Sequence, residues 1–132
     1  MSDNPDAAAQ EMTAWAQDLE GRAELYQDLH GRMAGLSVTE TSRDDAITVT
    51  IDHTGVPTDL YLAEGARGRA RAQLATQIMD CLRRAQATLR REVQAMVLDT
   101  VGDDDTGTAV MDQYARRFPD PELAESEDNS AR

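Results

Sequence analysis

Ala46-Ile-Thr-Val-Thr-Ile-Asp-His-Thr-Gly-Val-Pro-Thr-Asp-Leu-Tyr-Leu62 is the stretch whose reading decides the fold. Ile47, Val49 and Ile51 alternate with Thr48, Thr50 and Asp52, the period-two pattern of a strand with one apolar face. Asp52-His53-Thr54-Gly55 reads as a turn, with Gly55 free to take positive φ. The chain returns through Val56, Leu60 and Leu62, and Pro57 marks that returning strand as an edge or a bulge. Upstream, Leu36 and Val38 open a third alternating run, which Ser42-Arg43-Asp44-Asp45 turns into the central strand. The pattern predicts a three-stranded antiparallel meander.

A helical pattern stands on each side. Asn4 is a candidate N-cap and Pro5 a first helical residue, followed by Met12, Trp15, Leu19, Arg22, Tyr26, Leu29, Met33 and Leu36 at heptad spacing. This predicts a helix over about residues 5–34, with a frayed start and a stop near Gly35. A second helix is expected over about 68–98, with Leu74, Ile78, Cys81, Leu82, Ala85, Leu89, Val93 and Met96 on one face. Roughly 30 residues of helix span about 45 Å, whereas a seven-residue strand reaches only about 23 Å. The helices must overhang the sheet, so their apolar stripes require each other or a second chain, and a homodimer is expected. After a Gly102–Gly107 linker, Thr108 is read as the cap of a short helix to Arg117 that Phe118-Pro-Asp-Pro121 breaks. Residues 122–132 are acidic and poor in apolar side chains, which predicts a disordered tail. The fold class is thus α+β: residues 1–100 form one domain, and residues 101–132 are linker, short helix and tail.

The 132 residues carry 25 acids and 13 bases, all of them arginine, for a net charge of −12. The distribution is uneven. Residues 66–98 hold +5, against −5 for 1–35, −5 for 36–65 and −7 for 99–132. The cationic block consists of Arg67, Arg69, Arg71, Arg83, Arg84, Arg90 and Arg91, and the last four form two pairs spaced seven apart along one helix flank. Arginine forks suit phosphate oxygens, which makes this a candidate phosphate-contacting stripe. The plainer expectation is that these arginines pair with the acidic face of the first helix, and that Asp80 pairs with Arg84.

Nothing in the chain reads as a catalytic site. Cys81 falls beside an apolar stripe, where a thiol is packing, and a single cysteine allows no internal disulfide, which suits a reducing cytoplasm. His53 lies in a turn, and His30 lies where a helix C-terminus favours a cation. Asp103, Asp105 and Gly107 share a fragment of a calcium-loop pattern without its closing Glu. No cofactor or metal is expected. The acidic start has no apolar signal-peptide segment, and no run approaches the ~20 residues of a membrane span.

Three stretches resemble the YbaB/EbfC family of bacterial nucleoid-associated proteins: Ile47-Thr-Val-Thr-Ile-Asp-His-Thr-Gly55, Val56-Pro-Thr-Asp-Leu60, and Ile78-Met-Asp-Cys-Leu-Arg-Arg-Ala-Gln-Ala87. The likeness covers about residues 8–100. It implies a cytoplasmic, nucleoid-located homodimer that binds double-stranded DNA with little sequence preference, without catalysis, and it makes the seven arginines the contact candidates. Actinobacterial relatives are also similar, some associated with type VII secretion loci. They imply an alternative: an accessory that docks a helical protein and does not bind DNA appreciably. The acidic tail is expected to compete with phosphate for the arginines.

Overall fold

The computed structural model describes residues 5–121. In chain order it has α1 (Pro5–Ala34), β1 (Ser37–Thr41), β2 (Ile47–Asp52), β3 (Pro57–Leu62), a 3-10 turn at Glu64–Ala66, α2 (Arg71–Thr100) and α3 (Asp105–Arg117). The α+β order read from the sequence is the one observed. Two boundaries differ. Gly68 adopts φ +84° and Ala70 is extended, so α2 starts at Arg71 rather than at Gly68. The third helix is capped by Asp104, not Thr108: Asp104 Oδ1 accepts from the Gly107 N–H at 2.6 Å. The Thr108 N–H already bonds Asp104 O at 2.9 Å, inside the first turn. In a run of three aspartates the extended one takes the cap, and its carboxylate serves as well as a threonine hydroxyl. The expected frayed start with its Asn4 cap and the expected disordered tail lie outside the described residues.

The sheet runs β1-β2-β3, antiparallel throughout. Val38 stands opposite Ile51, Val49 opposite Leu60 and Ile47 opposite Leu62. Beyond Thr50↔Asp59 the next pair is Ile51↔Pro57, which leaves Thr58 as an extra residue. Pro57 therefore sits beside a bulge on an edge strand, where its missing N–H breaks no ladder. On the outer face threonines pair across strands, Thr39 with Thr50 at 3.0 Å and Thr41 with Thr48 at 3.2 Å.

The core forms where α2 crosses β1 and β2. Cys81, Ala85, Leu89, Val93 and Val97, spaced by fours, are buried in one cluster with Val38, Ala46, Ile47, Val49 and Ile51. Full burial of each Val, Leu or Ile side chain is worth about 1.5–3 kcal/mol, so this seam dominates stability. Cys81 is part of it: its Sγ donates to Glu40 O at 3.3 Å, and burial pushes its pKa up. α1 joins the core only near its end. Leu29 is buried and Met33 packs beside it. Tyr26 Oη donates to Asp104 Oδ2 at 2.8 Å, and Arg32 pairs with Asp99 at 3.1 Å. The upper part of the heptad stripe has no partner among the described residues: Met12 is 70% exposed and Trp15 66%.

α3 packs along α2 and reaches the β2–β3 turn. Gly107 lies so close to Val97 and Val101 that a Cβ there would crowd both. Phe118 is buried over Gly55, which takes φ +83° and leaves no room for a side chain under the ring. Tyr114 Oη donates to His53 O at 2.8 Å, and Gln86 Nε2 donates to Gly55 O at 3.0 Å. Phe118→Ala should therefore lower the unfolding free energy by about 3 kcal/mol. Gly55→Ala should cost about 1–3 kcal/mol from the backbone alone, with the ring clash added. Urea unfolding followed by circular dichroism checks both. A loss below roughly 0.5 kcal/mol for Phe118→Ala, the range of an ordinary surface change, would show that α3 is not packed as described.

Candidate nucleic-acid interface

The seven arginines of the cationic block do not form one continuous stripe. Arg67 and Arg69 border a hollow beside Leu62 and Leu74 at the entry to α2, and Arg71 is exposed on its first turn. Arg69 donates to Gln77 Oε1 at 2.6 Å and pairs with Asp44 of the β1–β2 turn. Farther along α2, Arg83 pairs with Asp80 at 3.3 Å and Arg84 with Glu40 of β1 at 3.8 Å. Arg90 pairs with Asp120 at 3.3 Å, and Arg91 donates to Thr88 Oγ1 at 3.1 Å.

The anticipated pairing of these arginines with the acidic face of α1 is absent among the described residues. Their partners come from β1, the turn, α2 itself and the segment after α3. α2 presents its apolar side to the sheet, so the arginines flanking that side meet the sheet rim, while α1 touches α2 only near the other end. The expected Asp80–Arg84 pair is replaced by Asp80–Arg83, because Arg84 leans to Glu40.

What the fold does assemble is an open cleft of roughly 500 Å³. Arg83, Arg84 and Arg91 line it from α2 and Arg43 lines it from the β1–β2 turn. Buried Ala87 and half-buried Thr88 also line it, as do Glu40, Asp80 and Asp120. Helical spacing brings the three α2 arginines together. Arg43 arrives through the antiparallel register that folds β1 back onto β2, so counting along a helix could not find it. Arg67, Arg69 and Arg71 stand apart from the cleft, and Arg90 is directed to Asp120. Guanidinium groups around a shallow, open cleft present fork-shaped donors to phosphate oxygens, with no buried polar atom left unpaired among the described residues.

The YbaB/EbfC DNA-binding family model matches residues 7–103. The chain belongs to the YbaB/EbfC DNA-binding family. No match was found among curated proteins or among solved structures. The YbaB/EbfC match spans α1, the sheet and α2, and ends before Asp104, the residue that caps α3. The cleft thus combines YbaB/EbfC residues on α2 and the β1–β2 turn with Asp120 and Pro121 from beyond the matched range.

The turn that supplies Arg43 is held by its neighbour. Asp44 accepts from Ser42 Oγ at 2.8 Å and from the Ala46 N–H at 3.2 Å, and it also pairs with Arg69. The Ser42 bond above all, then the Ala46 N–H and Arg69, pulls the Asp44 pKa from 3.8 down to about 2. Asp52 and Asp104 are lowered too, Asp52 chiefly by Thr54 and Asp104 chiefly by the Gly107 N–H. A depressed carboxylate pKa stabilises the fold fully above the unfolded value and loses that contribution as pH falls through the folded value. For Asp44 the window runs from about 4 down to about 2. Asp44→Asn should therefore be less stable than the parent at pH 6, and the difference should shrink toward pH 2. Urea midpoints across that range check it, and a constant gap would show that the Asp44 charge plays no part.

Proposed function

We propose that the chain acts as a homodimer that holds double-stranded DNA through phosphate contacts, with little sequence preference, in the bacterial nucleoid. The observation that carries the reading is the arginine cleft on the α2 flank of a chain that belongs to a DNA-binding family. Arg83, Arg84, Arg91 and Arg43 are its principal contacts. Arg67, Arg69 and Arg71 extend it toward the start of α2, and Arg90 joins when released from Asp120. Residues 1–100 supply the binding domain, and residues 101–132 trim its charge. Guanidinium groups on an open surface read charge and backbone shape, which supports weak base preference. No helix of the described residues is long and apolar enough to cross a membrane.

Dimerisation is supported by the uncovered apolar surface. All six residues of β3 are exposed, and Leu60 (47%) and Leu62 (42%) lie on the same sheet face as buried Val49 and Ile47. They and Met12 and Trp15 on α1 are apolar surfaces that a second copy can bury. That α1 stripe is also what favours the second reading, an accessory that docks a helical partner protein in place of DNA.

Two measurements decide. A gel-shift series in salt should show binding that weakens steeply. If three arginines per protomer each meet one phosphate, the slope of log K against log salt for a dimer is about −5. Reversing Arg83, Arg84 and Arg91 to Glu should abolish the shift, and no shift by the parent at low salt would end the DNA reading. In sedimentation the chain should run at twice its 14.5 kDa mass, and Leu60→Asp should split it. A parent that stays single at micromolar concentration would favour the helical-partner reading.

A further inference from the structure

Asp120 is held against Arg90 at 3.3 Å, and both side chains are largely screened from solvent, at 24% and 18% exposure. Its own helix does not place it there, because α3 ends at Arg117. Three anchors around the β2–β3 turn fix the position. Phe118 is buried on Gly55, Tyr114 Oη donates to His53 O at 2.8 Å, and Arg117 Nη2 donates to Thr54 O at 3.4 Å. Asp120 and Pro121 are thereby set into the wall of the cleft that Arg43, Arg83, Arg84 and Arg91 line. The next residues in sequence are Glu122-Leu-Ala-Glu-Ser-Glu-Asp128, four acids in seven. Pro121, the last described residue, lines that wall, and the run follows it in sequence.

Resting on the nucleic-acid reading above, we propose that Asp120 and the acidic run after it are a built-in competitor for the arginine cleft. A carboxylate-rich segment tethered at the rim meets the arginines at an effective concentration in the millimolar range, set by a short tether. DNA in dilute solution meets them at far lower concentration. Phosphate therefore enters the cleft in competition with carboxylates, Asp120 at its wall among them. The cleft favours long polyanions, which engage several arginines at once, over short ones. The competing acids lie outside the family match, so the competitor is an addition to the shared domain.

The test uses the full-length chain and two variants that keep the Phe118 anchor. One is Asp120→Asn. The other neutralises the run as Glu122→Gln, Glu125→Gln, Glu127→Gln and Asp128→Asn. Fluorescence anisotropy with a labelled DNA duplex and, separately, with long-chain inorganic polyphosphate reads the affinity. Each variant should bind about three- to tenfold tighter at about 50 mM salt, with a gap that closes as screening rises. Asp112→Asn on the exposed side of α3 is the charge-matched control for Asp120→Asn and should gain less than twofold. Equal affinities for parent and variants with both polyanions would overturn the proposal and make the Asp120–Arg90 pair a structural clasp. An equal gain from Asp112→Asn would also overturn it, as a net-charge effect. If no form binds duplex but the variants hold polyphosphate more tightly, the competitor stands and the nucleic-acid reading falls. If no form binds either polyanion, both fall.

Discussion

One helix cannot cover three strands, and the rest of the molecule follows from that. A helix with its side chains is about 10–12 Å across, and strands lie about 4.8 Å apart. Placed over β1 and β2, α2 buries Val38, Ile47, Val49 and Ile51 under Cys81, Ala85, Leu89, Val93 and Val97. β3 is left bare on the same face, with Leu60 and Leu62 beside a covered neighbour. α1 does not remedy this. It docks by its last two turns against the far end of α2, and its apolar stripe from Met12 to Leu19 continues into solvent. Two apolar surfaces on one chain thus have the same origin: a sheet one strand wider than its cover, and a helix longer than its dock.

The same placement arranges the charge. Seating the apolar side of α2 on the sheet turns its flanking arginines to the rim, where β1 offers Glu40 and the β1–β2 turn offers Arg43 and Asp44. Part-exposed ion pairs such as Arg83–Asp80 and Arg84–Glu40 are worth about 0–1 kcal/mol each. They hold the arginines loosely. The pair formed by Arg90 and Asp120 is more sheltered, and desolvated pairs are screened less by salt. In a chain of net charge −12, the cleft is a local exception, and its reach is limited to about one Debye length, roughly 8–10 Å, at ordinary salt.

Local periodicity made the elements legible in the sequence. The alternation of Ile47, Val49 and Ile51, the Asp52–Gly55 turn and the position of Pro57 all reflect neighbours a few residues apart, and each is found in the sheet. Asp52 Oδ1 even gathers the N–H groups of Thr54 and Val56, the local bonding that a turn aspartate is chosen for. What failed was long-range pairing. The heptad stripe of α1 gave no sign that only its end docks within the chain. The α2 arginines could not be assigned to Glu40, Asp44 and Asp120, whose positions depend on strand register and on where α3 lands. Arg43 escaped notice because a turn residue has no helical period. Asp104 and Thr108 are both good caps, and the packing of Gly107 on Val97 settles which turn comes first.

The β2–β3 turn connects the bare strand to the cleft. Gly55 is required twice there: once by its φ of +83°, and once because the Phe118 ring occupies the space a side chain would take. A turn with any other residue could still reverse the chain at some cost, but it would expel Phe118, and the aspartate two residues later would lose its position on Arg90. The turn also delivers β3, the uncovered edge, so one glycine lies between the bare strand and the carboxylate set against Arg90. That contact, an aromatic ring closed over a glycine, holds Asp120, a residue beyond the shared domain, at the wall of the arginine cleft.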